Sequence, residues 1–92
     1  MKDLKNKVAY ITGGTKGIGF AVAQTLLGQG MKVAISGRSQ ESVDQALKDF
    51  NNDDVLGIVS NVAKLSDEEN AVAKITDKWG QVDVVLANAG VD

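Results

Sequence analysis

The most informative stretch of the chain is Thr12-Gly13-Gly14-Thr15-Lys16-Gly17-Ile18-Gly19. It lies between an apolar run and a pattern with helical spacing. We expect Gly13 to turn sharply with a positive φ, and Gly17 to leave backbone N–H groups open to a ligand. Gly19 is expected to let the following helix pack closely on a sheet. The positive end of that helix favours an anion such as a phosphate. A plain glycine-rich loop is the alternative, and the spacing of the glycines favours the phosphate site.

Two common phosphate motifs are absent from this stretch. The P-loop pattern fails because Phe20 follows Gly19 where a lysine is required. The pattern G-x-G-x-x-G fails because Val22 occupies the place of its last glycine. The spacing that is present is G-x-x-x-G-x-G.

Four short apolar runs alternate with three helical patterns along the chain. The runs have the length of strands and lack a polar face, which is typical of strands buried between helices in a parallel sheet. They cover residues 8–11, 32–36, 55–59 and 82–87.

Each helical pattern carries signals for its ends. Gly28 or Gly30 is expected to stop the first helix, and Ser39 to cap the second. The third is expected to start with a capping box at residues 66–69 and to stop at Gly80. The apolar positions are Ile18, Val22 and Leu26 in the first, Val43, Ala46, Leu47 and Phe50 in the second, and Val72, Ile75 and Trp79 in the third.

The alternation of strands and helices predicts an α/β fold with a Rossmann-type parallel sheet. We expect four strands in the order 3-2-1-4, with the first two helices on one face and the third on the other. Residues 1–92 are expected to form one small domain at most. The apolar fourth strand then has an open edge, which predicts self-association or pairing with a C-terminal half.

Composition excludes several classes of function. The 92 residues contain no Cys and no His, which rules out disulfides, Cys/His zinc sites and His-based triads. A net charge of -2 and an aromatic content of 4% argue against nucleic-acid partners and anionic membrane surfaces. The polar N-terminus and the short apolar runs predict neither a signal peptide nor a membrane span, and hence a cytoplasmic location.

The stretch Thr-Gly-x-x-x-Gly-Ile-Gly resembles the cofactor motif of the short-chain dehydrogenase/reductase family. Residues 79–83, and Asn61 with Val62 after the third strand, also stand where that family has characteristic residues. Residues 87–90 resemble the family's Asn-Asn-Ala-Gly, with Ala87 in place of the first Asn. Asn61 replaces an Asp that bonds the adenine amino group, and its amide oxygen could accept that bond without a full charge. Asn61 and Asn88 could also be ordinary turn residues.

The resemblance implies that residues 1–92 are the N-terminal part of a single NAD(P)-binding Rossmann domain, with an incomplete sheet. It also implies the cofactor-binding half of an oxidoreductase that transfers hydride on a carbonyl or alcohol. The family's catalytic Tyr-x-x-x-Lys is absent, and the one tyrosine, Tyr10, lies in the first strand. We therefore expect no catalysis by this chain alone; a non-enzymatic nucleotide-binding or scaffold half-domain is the alternative. The predicted cofactor-binding residues are Gly13, Thr15, Lys16, Gly17, Ile18, Gly19, Arg38, Ser39, Asn61, Val62, Asn88, Ala89 and Gly90.

The end of the second strand predicts which cofactor binds. Proteins that bind NAD have an acid there, about 20 residues past the glycine loop, that accepts hydrogen bonds from the ribose. This chain has Arg38 and Ser39 instead, and Lys16 lies in the glycine loop. A guanidinium suits a 2′-phosphate, which an acid would repel, so we predict NADP. The alternative is that Arg38 is a solvated surface charge and that Ser39 only caps a helix.

Overall fold

Strands and helices alternate in the order that the sequence predicts. The structure, a computed structural model, describes residues 4–61 and 63–88. Its elements are β1 (Val8–Thr12), α1 (Gly17–Gly28), β2 (Lys32–Gly37), α2 (Gln40–Phe50), β3 (Val55–Val59), α3 (Leu65–Trp79) and β4 (Val84–Ala87).

The strands form one parallel sheet in the order β3-β2-β1-β4, which confirms the predicted topology. Thr12 at the end of β1 pairs with Ala87 at the end of β4. Gly37 at the end of β2 pairs with Val59 at the end of β3. The carboxyl ends of all the strands therefore meet at one edge of the sheet, where open α/β sheets bind their ligands.

Each face of the sheet has its own core, because strand side chains alternate between the faces. The helices α1 and α2 cover one face and α3 covers the other, as predicted. The rings of Phe20 and Phe50 stack with centroids 4.3 Å apart and join α1 to α2. The first core contains Ala9, Ile11, Ala23, Met31, Val33, Ile35 and Ala46; the second contains Val8, Tyr10, Ala34, Ile58, Ala71 and Ile75.

Most of the predicted helix ends are confirmed. Ser39 caps α2, and its hydroxyl oxygen accepts a hydrogen bond from the Ser42 N–H at 3.2 Å. Gly80 caps the C-terminus of α3 in the left-handed conformation, with a φ of 79°. The helix α1 ends at Gly28, and Gly30 turns the chain with a φ of 85°.

The predicted capping box of α3 is wrong. The helix begins one residue before Ser66, its N-cap is Lys64, and no side chain caps it. The Asp67 carboxylate accepts from the backbone N–H of Asn61 at 2.8 Å, and the Glu68 carboxylate accepts from Ser60 at 2.7 Å. A hydrogen bond to a charged group contributes about 1.5–3 kcal/mol and a helix cap about 1 kcal/mol. These tertiary hydrogen bonds to the first-turn acids therefore outweigh a local cap.

The strand β4 starts two residues later than the predicted run. Asp83 occupies the place of a ladder residue, because its carboxylate accepts from the Val8 N–H at 2.8 Å and its own N–H donates to the Val8 carbonyl. Gln81 donates to the same carboxylate at 2.7 Å. The hydrogen bond from Val8 holds the pKa of Asp83 below its usual range. Val82 precedes β4 and packs against the second core instead.

Several apolar side chains lie outside both cores. Ile18 is 67% exposed and Val72 is 40% exposed, although both belong to predicted apolar stripes. On α3 the buried residues are Ala71 and Ile75, so the inner face is rotated by one position from Val72. Leu65, Val85 and Leu86 are also exposed. Within the described ranges, no helix combines the length and the hydropathy that a membrane crossing requires.

The Tyr10 side chain is buried under α3 and donates its hydroxyl hydrogen to the Glu68 carboxylate, at 3.1 and 3.2 Å from the two oxygens. Burial raises the pKa of Tyr10 from 10.0 to about 12, and the negative charge of Glu68 adds to that rise. Hydrogen bonding with Ser36 and Ser60 opposes it.

Alkaline titration of Tyr10 tests this burial directly. The chain has one tyrosine, so the absorbance change near 295 nm reports this side chain alone. We expect a midpoint at about 12 in the folded chain and at about 10.0 in the urea-unfolded chain. Because the folded pKa is the higher one, this group stabilises the fold fully below pH 10.0 and loses that contribution as the pH rises towards 12.

The variant Glu68→Gln is the control for the cause of the shift. Removing its charge is expected to lower the midpoint only in part, because burial is the larger cause. A folded-state midpoint at the ordinary tyrosine value, with the circular dichroism of the fold intact, would contradict the buried placement.

Candidate cofactor-binding site

The glycine loop adopts the conformation that its sequence predicts. Gly13 has a φ of 69° and Gly17 a φ of 65°, a region that costs other residues about 1 kcal/mol or more. A Cβ atom added at Gly17 would have no other atom within 4 Å. The backbone at Gly17 therefore faces open space, as a loop that holds a ligand against its N–H groups requires.

The start of α1 is uncapped and free of negative charge. Lys16 is the N-cap residue, with an extended backbone at a φ of -159°, and its side chain makes no capping hydrogen bond. The first turn has no acidic residue, unlike those of α2 and α3. The first N–H groups of a helix have no partner within the helix, and the helix dipole is positive there. This end of α1 therefore fits a phosphate, as predicted.

Gly19 is required because a Cβ atom there would meet the Asn88 side chain and would also lie 2.9 Å from the backbone oxygen of Gly13. The Asn88 amide nitrogen donates to the Gly13 carbonyl at 3.3 Å, and the Asn88 N–H donates to the Thr12 hydroxyl at 2.9 Å. A Cβ atom at Gly19 would lie 2.6 Å from that amide nitrogen. Asn88 thus ties the end of β4 to the glycine loop, in the bracing role that the sequence left open.

The end of β2 lies directly against the glycine loop. The buried Ser36 hydroxyl accepts from the Gly13 N–H at 3.3 Å. A Cβ atom at Gly37 would come within 2.6 Å of the Thr15 methyl group, so the two segments touch. Arg38 is the next residue and is exposed. The Arg38 side chain therefore leaves the backbone beside the loop that contains Lys16.

The Ser39 hydroxyl is already used within the protein. It caps α2 and lies 2.9 Å from the Ser42 hydroxyl. This is the alternative role considered for Ser39 from the sequence. Its oxygen can still share a hydrogen with a ligand, but the capping bond is its main contact.

Asn61 does not present its amide oxygen freely. That oxygen accepts from the Ala63 N–H at 3.0 Å and so closes a local turn. The Asn61 N–H donates to Asp67. An amide oxygen has two lone pairs, so one acceptor position remains for an adenine amino group.

Two cations lie near the glycine loop at this edge of the sheet. Lys16 and Arg38 are exposed, and no carboxylate of the described residues lies within ion-pair distance of either. Lys32 and Asp54 form an ion pair with 3.6 Å between their charged atoms, away from the glycine loop, at the start of β2 and just before β3. Lys16 and Arg38 are therefore available to an anionic ligand.

The structure brings most of the predicted residues to one edge of the sheet: Gly13, Thr15, Lys16, Gly17, Ile18, Gly19, Arg38, Ser39, Asn61 and Asn88. Val62, Ala89 and Gly90 lie outside the described residues. Two residues were missed, Thr12 and Ser36, whose hydroxyl groups anchor Asn88 and Gly13. The sequence signal that could have identified them is a hydroxyl residue at or near the end of an otherwise apolar strand.

The chain is similar to known proteins in both sequence and structure. The family model described as short chain dehydrogenase matches residues 7–92. Human dehydrogenase/reductase SDR family member 2, mitochondrial, is 44% identical over 91 residues, which cover 97% of this chain and 32% of that protein. The chain thus spans about a third of the length of this relative.

Two solved structures superimpose closely on the chain. The putative short-chain dehydrogenase from Novosphingobium aromaticivorans has a TM-score of 0.89 and 31% identity, over 92% of this chain and 32% of its own. The 3-ketoacyl-(acyl-carrier-protein) reductase from Brucella melitensis, complexed with NADH, has a TM-score of 0.83 and 30% identity, over 89% of this chain and 33% of its own. With its family model matched from Lys7 onward and its glycine loop intact, this chain belongs to the short-chain dehydrogenase family.

Proposed function

We propose that this chain binds NADP(H) across the carboxyl edge of its sheet and is the cofactor-binding part of an oxidoreductase. The proposal rests on one observation. The uncapped start of α1 lies near two cations, Lys16 and Arg38, neither of which has an ion-pair partner among the described residues. The family and its relatives support a nicotinamide dinucleotide as the ligand.

The loop residues fit the parts of the ligand. The N–H groups at the start of α1 would hold the pyrophosphate, and Gly17 keeps that approach open because it has no Cβ atom. Asn61 would contact the adenine, and the exposed Ile18 would cover the dinucleotide with its apolar side chain. Bound in this way, the nicotinamide supplies or accepts the hydride.

The 2′-phosphate distinguishes NADP from NAD. No acid follows β2 to accept the ribose hydroxyls, because the residues at its end are Ser36, Gly37 and Arg38. Gly37 packs against Thr15, which leaves the next side chain, that of Arg38, at the rim of the site. A guanidinium binds phosphate through a fork of parallel hydrogen bonds, and Lys16 adds a point charge.

The activity of the whole protein is proposed from the family. Tyr10 cannot act as the family's acid/base in this chain, because its hydroxyl is buried and bonded to Glu68. We propose that hydride transfer on a carbonyl or alcohol needs further residues of the protein, and that the 92-residue chain alone shows no NADPH-dependent turnover.

The open edge of β4 is a proposed contact surface. Val85 is 57% exposed and Leu86 is 38% exposed, on opposite faces of the strand that ends the described sheet. An apolar edge strand with free backbone groups pairs readily with another strand. We propose that this edge pairs with a further segment of the protein or with a second copy. The cytoplasmic location stays a prediction, and one relative is named mitochondrial.

Removing the Arg38 charge tests the cofactor preference. Arg38→Ala is expected to weaken NADPH binding about tenfold or more and to leave NADH binding within about twofold, because only NADPH carries the 2′-phosphate. Isothermal titration of the 92-residue chain with each cofactor measures both affinities. The matched control is Lys48→Ala, which removes an exposed cation from the last turn of α2. Equal affinities of the wild type and Arg38→Ala for NADPH would refute the proposed role of Arg38.

A charge on β4 tests the proposed edge contact. Leu86→Lys is expected to shift the isolated chain towards monomer in analytical ultracentrifugation, because lysine on an edge strand opposes strand pairing. Val59→Lys is the control, since Val59 is 42% exposed on β3 at the opposite edge. A purely monomeric wild-type chain, or equal effects of the two substitutions, would argue against β4 as the contact.

A further inference from the structure

The hydrogen bonds of Glu68 reach one strand and the segment that follows another. Its carboxylate accepts from the Tyr10 hydroxyl of β1 at 3.1 and 3.2 Å. It also accepts from the Ser60 hydroxyl, just after β3, at 2.7 Å. Tyr10 and Ser60 are 1% and 2% exposed, so these bonds lie where water competes little with them.

Three hydrogen bonds join Ser60 and Asn61, which follow β3, to β2 and α3. The Ser60 N–H donates to the Gly37 carbonyl at 2.9 Å, and the Asn61 N–H donates to the Asp67 carboxylate at 2.8 Å. The third is the bond between Ser60 and Glu68. Asn61 itself is exposed, so the buried anchor of this segment is Ser60.

The same group of hydroxyls reaches the glycine loop. The buried Ser36 hydroxyl accepts from the Gly13 N–H at 3.3 Å, and Ser36 lies close enough to Tyr10 to oppose the rise that burial causes in the pKa of its hydroxyl. The hydrogen bonds of Glu68 join Tyr10 of β1 to Ser60. Glu68 therefore connects the segment that contains Asn61 to β1, the strand that leads into the glycine loop.

We propose that Glu68 is a positioning residue for the dinucleotide site, which fixes the segment containing Asn61 to β1 and so supports binding of the adenine half of the ligand. The proposal rests on the dinucleotide-binding function proposed above. Glu68 touches no ligand in this scheme, and its effect passes through Ser60 and Tyr10. The neighbouring Asp67 holds the next N–H of the same segment.

The first experiment needs no ligand. Hydrogen exchange of the 92-residue chain, measured by NMR, is compared for wild type, Glu68→Ala and Glu69→Ala. The last variant is the matched control, because Glu69 is exposed and carries the same charge on the same helix. In Glu68→Ala we expect the amides of Ser60 and Asn61 to exchange about tenfold faster, with those of Ile35 in the sheet centre unchanged.

A milder pair of variants keeps the experiment informative if Glu68→Ala unfolds. Ser60→Ala removes only one of the donors to Glu68 and should reproduce faster exchange at Asn61. Glu68→Gln retains one carbonyl oxygen and should stay close to wild type. Unchanged exchange at both amides in Ser60→Ala would overturn the proposal.

The second experiment separates positioning from overall stability. We expect Glu68→Ala to weaken binding of adenosine 2′,5′-bisphosphate about tenfold and binding of reduced nicotinamide mononucleotide less than twofold. Equal losses for both ligand halves, alongside a lower melting temperature, would mean a purely structural role and overturn the proposal. If the wild type binds neither half of the dinucleotide, the proposed dinucleotide binding is wrong. The positioning role is then wrong as well, even if substitution of Glu68 changes the amide exchange of Ser60.

Discussion

The parallel pairing of β1 with β2 on one side and β4 on the other is the constraint on which the site depends. The glycine loop follows β1, so both of its neighbours present their carboxyl ends beside it. Ser36 of β2 accepts from Gly13, and Asn88 after β4 donates to the same residue. A loop with two left-handed glycines is a weakly determined structure by itself, and these bonds from both sides hold it in one conformation.

Some polar groups near the site have hydrogen-bond partners within the protein, and others are open to solvent. The hydroxyls of Thr12, Ser36 and Ser60 are buried, and no buried side-chain polar atom of the described residues lacks a partner. The start of α1 and the charged ends of Lys16 and Arg38 face outward instead. This separation suits a preformed anion site, because the ligand replaces water at the open groups and disturbs no internal bond.

Local signals predicted those features whose cause lies within a few residues. Ser39 caps α2 and Gly80 ends α3 because a cap requires only a hydroxyl or a left-handed glycine at one position. Local signals failed where a distant partner competed for the same group. Asp67 and Glu68 lie inside the predicted capping box, between Ser66 and Glu69, and they bind a segment that precedes the helix and a strand near the start of the chain. Asp83 likewise replaces a strand residue because Val8, far away in sequence, needs an acceptor.

The sequence by itself determined the fold class and the position of the glycine loop, because these follow from apolar periodicity and from glycine spacing. The strand order followed from the doubly wound topology to which a glycine loop after the first strand belongs. It also determined the family, since the loop motif and the later residues occur in order along the chain. The tertiary structure alone decided how these residues are used. It rotated α3 so that Val72 faces outward, buried Tyr10 against Glu68 and joined the Asp83 carboxylate to Val8. Each of these depends on which distant groups the packing of strands and helices brings within hydrogen-bond reach, and spacing along a chain does not contain that information.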